Sequence, residues 1–198
     1  MQKLTRIDLL SLEDYARQRP HYRKLVMEHK RPRQIALNKH ARLYFEDRRT
    51  VQYQIQEMLR IEKIFEPDGI EEELAAYNPL IPDGQNLKAT FMLEYPDAQE
   101  RKAALSRLIG VEQKVWLAVD GMERVYPICD EDLERDNEEK TSSVHFMRFE
   151  LPPSMIHALK QGAQLQAGVS HPNMDARIIL TDTQRDALVA DLDDIVLN

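Results

Sequence analysis

The sequence predicts an α+β protein: mainly an antiparallel β-sheet with helices packed on it, preceded by a helical N-terminal segment. Three observations lead there. Apolar residues recur at helical spacing through the first part of the chain. From Leu87 onward, short apolar runs follow one another across short links, the pattern of neighbouring antiparallel strands. Prolines, glycines and capping residues punctuate these runs where helices should start and stop. The 198 residues suffice for one large domain or two small ones, and 42% hydrophobic with 31% charged residues is the balance of a folded globular chain.

Leu12, Tyr15, Ala16, Tyr22, Leu25, Val26 and His29 recur at spacings of three, four and seven, so a helix is predicted there with Ser11 as its cap. Pro20 should break or kink it, making one helix or two, and Arg31-Pro32 ends it. Over 33–45, Ile35, Leu37, Ala41, Leu43 and Phe45 alternate with polar residues. That reads as one half-buried strand, with Lys39 the one charge on its apolar face. Glu46-Asp47-Arg48-Arg49 makes a turn, and Thr50 caps a helix running to about Phe65. Pro67-Asp68-Gly69 stops that helix, and a short one spans Glu71 to Tyr77. The loop formers of YNPLIPDGQN then mark a boundary. It divides a basic N-terminal helical region, 1–84, with one strand at 33–45, from an acidic antiparallel α+β region, 85–198. If the early strand joins the later sheet, the two are one continuous domain.

The second region begins with a strand over Leu87–Tyr95. Asp97 and Glu100 form a capping box for a helix that Gly110 closes. Asp120-Gly121 joins strands Val115–Val119 and Arg124–Ile128 as a hairpin, and Trp116 reads as core. The acidic stretch 130–139 reads as a loop or frayed helix; it lacks the central glycine and terminal glutamate of a calcium loop. Ser143–Leu151 is a strand, and Pro153 starts a helix ended by Gly162. Strands at 164–170 and 176–180 flank His171-Pro172-Asn173, and Thr181 caps a final helix.

The net charge of -7 hides a division. Residues 1–65 carry 15 lysines and arginines against 8 acids, and residues 66–198 carry 12 against 26. Either the two parts attract each other within one monomer, or a basic surface awaits an anionic partner. The densest tract is Arg17, Arg19, Arg23, Lys24, Lys30, Arg31 and Arg33, with Tyr15 and Tyr22 interleaved. Nucleic acid would bind there through phosphate contacts, although no reader module accompanies the tract. The single Cys129 excludes an internal disulfide. The N-terminus lacks the apolar core of a secretory signal, and no apolar run approaches the ~20 residues of a bilayer span. A cytoplasmic address and no membrane partner are therefore expected. The oligomeric state is left open.

The helix expected after Thr50 supplies the candidate site. At about 100° per residue, Val51, Ile55, Met58, Leu59, Ile61 and Phe65 form an apolar arc with Gln54 and Glu62 inside it. Gln52, Gln56, Arg60 and Lys63 take the opposite, solvated side. A carboxylate in such an arc needs a counter-charge, a metal or a retained proton. Its counter-charge would be Arg42, Arg48 or Arg49. Alternatively Glu62, Gln54 and His40 line a polar pocket. There Glu46, Asp47 and Glu57 supply charge, His40 or His145 relays a proton or binds a metal, and Arg48 or Arg60 binds an anion. His145 also fits a hydrogen-bonded core histidine, since it shares its strand parity with Met147, Phe149 and Leu151. No glycine-rich phosphate cradle, CxxC, HExxH or GxSxG motif is present. No cofactor or metal site is therefore predicted, and a non-enzyme is favoured.

FEDRRTVQYQIQEMLRIE, YNPLIPDG, ATFMLEYPD, DEDLER and KTSSVHFMRFEL together resemble an uncharacterised bacterial family, the domain of unknown function numbered thirty-five hundred and one. The resemblance runs from MQKLTRIDLLSLEDY to the HPN segment. The family has no established activity, so it implies no catalytic residue. It implies a bacterial cytosolic protein whose relatives are encoded beside rubrerythrin-like proteins and iron–sulfur oxidoreductases. The expectation is a non-catalytic accessory or binding protein of redox or peroxide-stress metabolism, working with a rubrerythrin-like or iron–sulfur partner. The alternatives are an enzyme or metal-binding protein with a carboxylate-centred site around Glu62, and nucleic-acid binding through the basic tract.

Overall fold

A computed structural model describes residues 2–131 and 140–194; most of the acidic stretch expected over 130–139 lies outside the described residues. Helix α1 (Leu12–Lys30) starts at Ser11, whose Oγ accepts the Asp14 N–H at 3.1 Å. It continues through Pro20 as one helix. Pro20 and Ala16, whose carbonyl loses its partner, are both exposed, so that carbonyl is open to solvent rather than buried unpaired.

The strand expected over 33–45 is instead a hairpin of β1 (Gln34–Ala36) and β2 (Ala41–Glu46). Asn38 closes the turn, its Oδ1 accepting the N–H groups of His40 and Ala41 at 2.8 and 2.9 Å. This side-chain turn puts Lys39 in solvent rather than on an apolar face. Helix α2 (Arg48–Glu62) is capped by Asp47, not Thr50. The Asp47 carboxylate accepts the Thr50 N–H at 2.8 Å, and the Thr50 hydroxyl accepts the Asp47 N–H at 2.9 Å. Lys63, at φ 57°, ends α2 in the left-handed region. Pro67 starts α3 (Pro67–Tyr77) rather than stopping a helix, since the first turn needs no N–H from it.

Strand β3 (Asn86–Leu93) pairs with β2 on one side and with β6 (Val144–Glu150) on the other. The short β5 (Ile128–Cys129) pairs with β6. The resulting antiparallel sheet has the order β1-β2-β3-β6-β5, so it crosses the boundary drawn at residue 84. A second antiparallel sheet has the order β4-β7-β8, formed by Val115–Val119, Leu165–His171 and Met174–Ile179. The strand expected over Arg124–Ile128 is shared between the sheets: Val125 bridges to Leu117, and Ile128 joins β6. Helices α4 (Ala98–Arg107), α5 (Pro153–Lys160) and α6 (Asp182–Val189) complete the α+β fold.

One buried cluster joins the inward residues of both sheets, among them Leu43, Phe91 and Phe149 with Val115, Leu117 and Val169, to α4, α5 and α6. Each fully buried large side chain there contributes about 1.5–3 kcal/mol. A smaller cluster of Leu4, Val51, Ile55, Leu59, Leu74 and Ile81 holds α2, α3 and the N-terminal segment together.

Candidate functional site: a groove on the outward face of the larger sheet

Side chains alternate across β3 and β6. Leu87, Ala89, Phe91, Leu93, His145, Met147 and Phe149 are buried inward, while Lys88, Thr90, Met92, Val144, Phe146 and Arg148 face outward and are half-buried. The outward face is neither sealed nor open. The end of α3 and the 3-10 turn Asn78–Leu80 lie along it, leaving a groove of about 320 Å³. Thr90 and Phe146, paired across the strands, form its floor, and Ala76, Tyr77, Pro79 and Leu80 form its wall. The next row of the sheet, Glu46–Lys88–Arg148–Ile128, crosses one end, where Glu131 also lines the groove.

The charges of that row are not equivalent. Arg148 donates to Glu131 through Nε and Nη2 at 2.8 and 2.7 Å and also pairs with Glu150, so its guanidinium fork is occupied. The buried Glu46 accepts the Thr50 hydroxyl at 2.5 Å. The Lys88 ammonium donates to the Pro79 carbonyl at 2.5 Å. Among the described residues no carboxylate is within ion-pair distance of it. Burial pushes the Lys88 ammonium below the usual lysine range. An ammonium has three donors, so Lys88 keeps N–H groups for a further acceptor.

The residues singled out in the sequence do not converge. Glu62 is the last residue of α2 and is exposed, so it needs no buried counter-charge. Gln54 is half-buried beside Tyr77. The buried polar residue of α2 is Gln56, on the side expected to be solvated. Its amide accepts the Leu10 N–H at 2.6 Å and donates to the Leu10 carbonyl at 3.3 Å. The buried side of α2 is thus rotated from the expected arc, because the N-terminal segment packs on it. Neither spacing within the helix nor its apolar count carries that information.

Glu57 lies between α1 and α2. Arg19 holds it through Nε and Nη2 at 2.7 and 2.8 Å, and the Tyr15 hydroxyl donates to it at 2.6 Å. The Arg19 hydrogen bonds bring its carboxyl down to about 2, and Arg60, 3.5 Å away, adds to the effect. Arg48 pairs with Asp8 at 2.5 Å. His40 stacks on Tyr95 with ring centroids 4.1 Å apart.

Asp47 belongs to a buried network. It touches His29 Nε2 at 2.5 Å and Arg33 at 3.1 Å, while Arg33 also grips Asp191 at 2.6 and 2.8 Å. Burial alone would raise the Asp47 carboxyl, but the Arg33 charge and the Thr50 N–H outweigh it and hold it below the usual range. Arg33–Asp191 is an ion pair between the basic and acidic parts of the chain. The other predicted basic residues divide. Arg17, Arg23, Lys24 and Arg31 are exposed, Arg17 beside Asp14, and Lys30 is half-buried.

His145 is fully buried at the far end of the sheet. Its Nδ1 is 2.6 Å from Asp130 and its Nε2 is 2.9 Å from the Thr141 hydroxyl. It ties together the chain on either side of residues 132–139, as a core histidine with satisfied nitrogens. Among the described residues no group of three histidine, cysteine or acidic side chains is placed to hold a metal ion, and no helix is long and apolar enough to cross a membrane.

Sequence reasoning missed Lys88, Thr90, Phe146 and the groove wall. One signal was available. Met92, Val144 and Phe146 are apolar on the parity that simple alternation gives to solvent, which marks a sheet with something against both faces.

The fold is α+β with a groove on one sheet face, and the sequence places the chain in a known family. The chain matches DUF3501, described as a protein of unknown function, over residues 3–192, and belongs to that family. It is also similar to a crystal structure, at 1.90 Å resolution, of a novel protein of unknown function from Burkholderia pseudomallei K96243. The two share 50% identity and a TM-score of 0.91 over 97% of this chain and 100% of that one. No functionally curated protein matches the sequence.

Proposed function

We propose that the protein is a non-catalytic binding protein whose groove holds a small ligand with an apolar body and an oxygen-bearing head. Lys88 carries this reading: a half-buried ammonium at the end of an apolar groove, with one carbonyl acceptor and no carboxylate within ion-pair distance among the described residues. A volume of about 320 Å³ is at the lower end of small-molecule pockets, roughly 300–1,000 Å³. The head would accept from Lys88, and the body would lie along Thr90, Phe146, Tyr77 and Leu80. Arg148, already paired with Glu131 and Glu150, shapes the end of the groove with its charge balanced there.

The test uses octanoate and octanol as probes, followed by calorimetry. Saturable octanoate binding is expected, lost in Thr90→Trp, which fills the floor. In Lys88→Met it should weaken about tenfold, as loss of a charged hydrogen bond of about 1.5–3 kcal/mol implies. Absence of binding by either probe, or equal binding by Thr90→Trp, removes the groove from the account.

The narrower role is the one the family resemblance implies: a bacterial, cytoplasmic accessory protein working beside a rubrerythrin-like or iron–sulfur partner in redox or peroxide-stress metabolism. A low-salt pull-down that captures no such partner sinks it. A second reading, nucleic-acid binding, is favoured by the exposure of Arg17, Arg23, Lys24 and Arg31. It excludes Arg19 and Arg33, which are taken by Glu57 and Asp191. A mobility shift absent even at low salt removes it.

A further inference from the structure

The three-stranded sheet ends on an open edge. Strand β8 pairs with β7 on one side and, among the described residues, with no strand on the other. The register fixes which backbone groups that leaves over. The Leu180 N–H donates to the Leu165 carbonyl at 2.9 Å. From there the pairs step in twos: Ile178 with Ala167, Ala176 with Val169, Met174 with His171. In an antiparallel ladder the N–H and C=O of one residue point to the same neighbour, and those of the next point away. Asp175, Arg177 and Ile179 therefore turn both groups toward the free edge, and all three are exposed. The strand has six residues and no proline, so it lacks a common device that blunts sheet edges.

What it does carry is a self-complementary pattern. We propose that a second copy of this chain occupies the edge, β8 pairing antiparallel with its counterpart about a two-fold axis through Ala176. In that register Asp175 faces Arg177 of the partner subunit, and symmetry makes the contact twice. Both are residues whose backbone groups point outward, so the charged pairs coincide with the hydrogen-bonded pairs. Met174 faces Ile178 of the partner subunit, and the small Ala176 faces itself. Centring the axis on Asp175 or on Arg177 instead sets like charges opposite each other. Arg177 uses its Nε for Gln166, at 3.0 Å, which orients the guanidinium and leaves its two terminal nitrogens for the partner's carboxylate. The two sheets of three strands become one of six.

Sedimentation velocity over a concentration series tests the register. The native chain should show a concentration-dependent dimer. Asp175→Arg should raise its dissociation constant about tenfold or more, as attractive cross-strand pairs become repulsive. Combining Asp175→Arg with Arg177→Asp should restore the dimer. A native chain that stays monomeric at high micromolar concentration overturns the proposal. So does an Asp175→Arg variant that dimerises like the native chain, or a double variant that does not recover. If the charge variants fail to fold, Ala176→Cys in a Cys129→Ser background decides. Opposed non-hydrogen-bonded residues lie roughly 4.5 Å apart at Cα, within disulfide reach, so mild oxidation should yield a covalent dimer. No covalent dimer overturns the proposal.

Discussion

The two faces of the five-stranded sheet are made from the same three long strands yet do opposite work. Inward, Leu43, Phe45, Leu87, Phe91, Phe149 and their neighbours are buried in a cluster shared with the second sheet and three helices. Outward, the alternating residues Lys88, Thr90, Phe146 and Arg148 are half-buried and line the groove beside α3 and the turn after it. Apart from the hydrogen-bonded His145, the inward face of these strands is apolar and sealed, which is what stability requires. The outward face mixes an apolar floor, an ammonium with no carboxylate of the described residues at ion-pair distance, and an arginine held by two carboxylates, an arrangement that stability does not require. One strand, β3, serves both, so adjacent residues in the chain should respond to substitution in different ways.

The comparison breaks most visibly at Phe91 and Thr90. Phe91→Ala should cost about 3–5 kcal/mol of stability, read as a shifted urea midpoint, whereas Thr90→Trp should change that midpoint little while filling the groove. Equal losses at the two positions would mean that the outward face is core as well. Next in size is Arg33→Met. It leaves Asp191 and Asp47 buried without their shared guanidinium, and loss of one partner of a buried pair costs about 3 kcal/mol or more. Little change would mean that the contact between the basic and acidic parts is incidental.

Smaller, and dependent on pH, is the effect at Glu57. Its folded carboxyl titrates at about 2 against an ordinary 4.5. The folded state therefore holds the proton less tightly than the unfolded chain. The stability this contributes is fully present above about 4.5 and is lost as the pH falls toward about 2. Glu57→Gln should lower stability at neutral pH and flatten the acid limb of the stability curve. An unchanged acid limb would place the acid sensitivity elsewhere.

These contrasts also show what the sequence carried. Local chemistry was legible: the Ser11 cap, the strands at Val115 and Ser143, and the helix after Pro153 follow from caps, periods and prolines. The α+β class followed in the same way, whereas the family came from the resemblance of whole segments such as FEDRRTVQYQIQEMLRIE and YNPLIPDG. Alternation over 33–45 concealed a hairpin, because Asn38 makes a turn without disturbing the period of two. The cap of α2 fell on Asp47 rather than Thr50 because the two side chains cap reciprocally. Glu62 looked buried because its angle falls inside the apolar arc; α2 ends at it and Lys63 turns left-handed, so the carboxylate sits exposed at the helix end. The groove needed knowledge that no local pattern holds, namely that α3 returns across the outward face of β3 and β6. Gln56 and Arg33 likewise acquire meaning from partners 46 and 158 residues away.

The central claim is that the outward face of β3 and β6 is a binding surface. Its most direct test is an amide and methyl NMR titration of the native protein with octanoate. Shift changes should concentrate at Lys88, Thr90, Phe146, Tyr77 and Leu80, saturate, and vanish in Thr90→Trp. Changes that are absent, unsaturable or centred on the inward residues would contradict it.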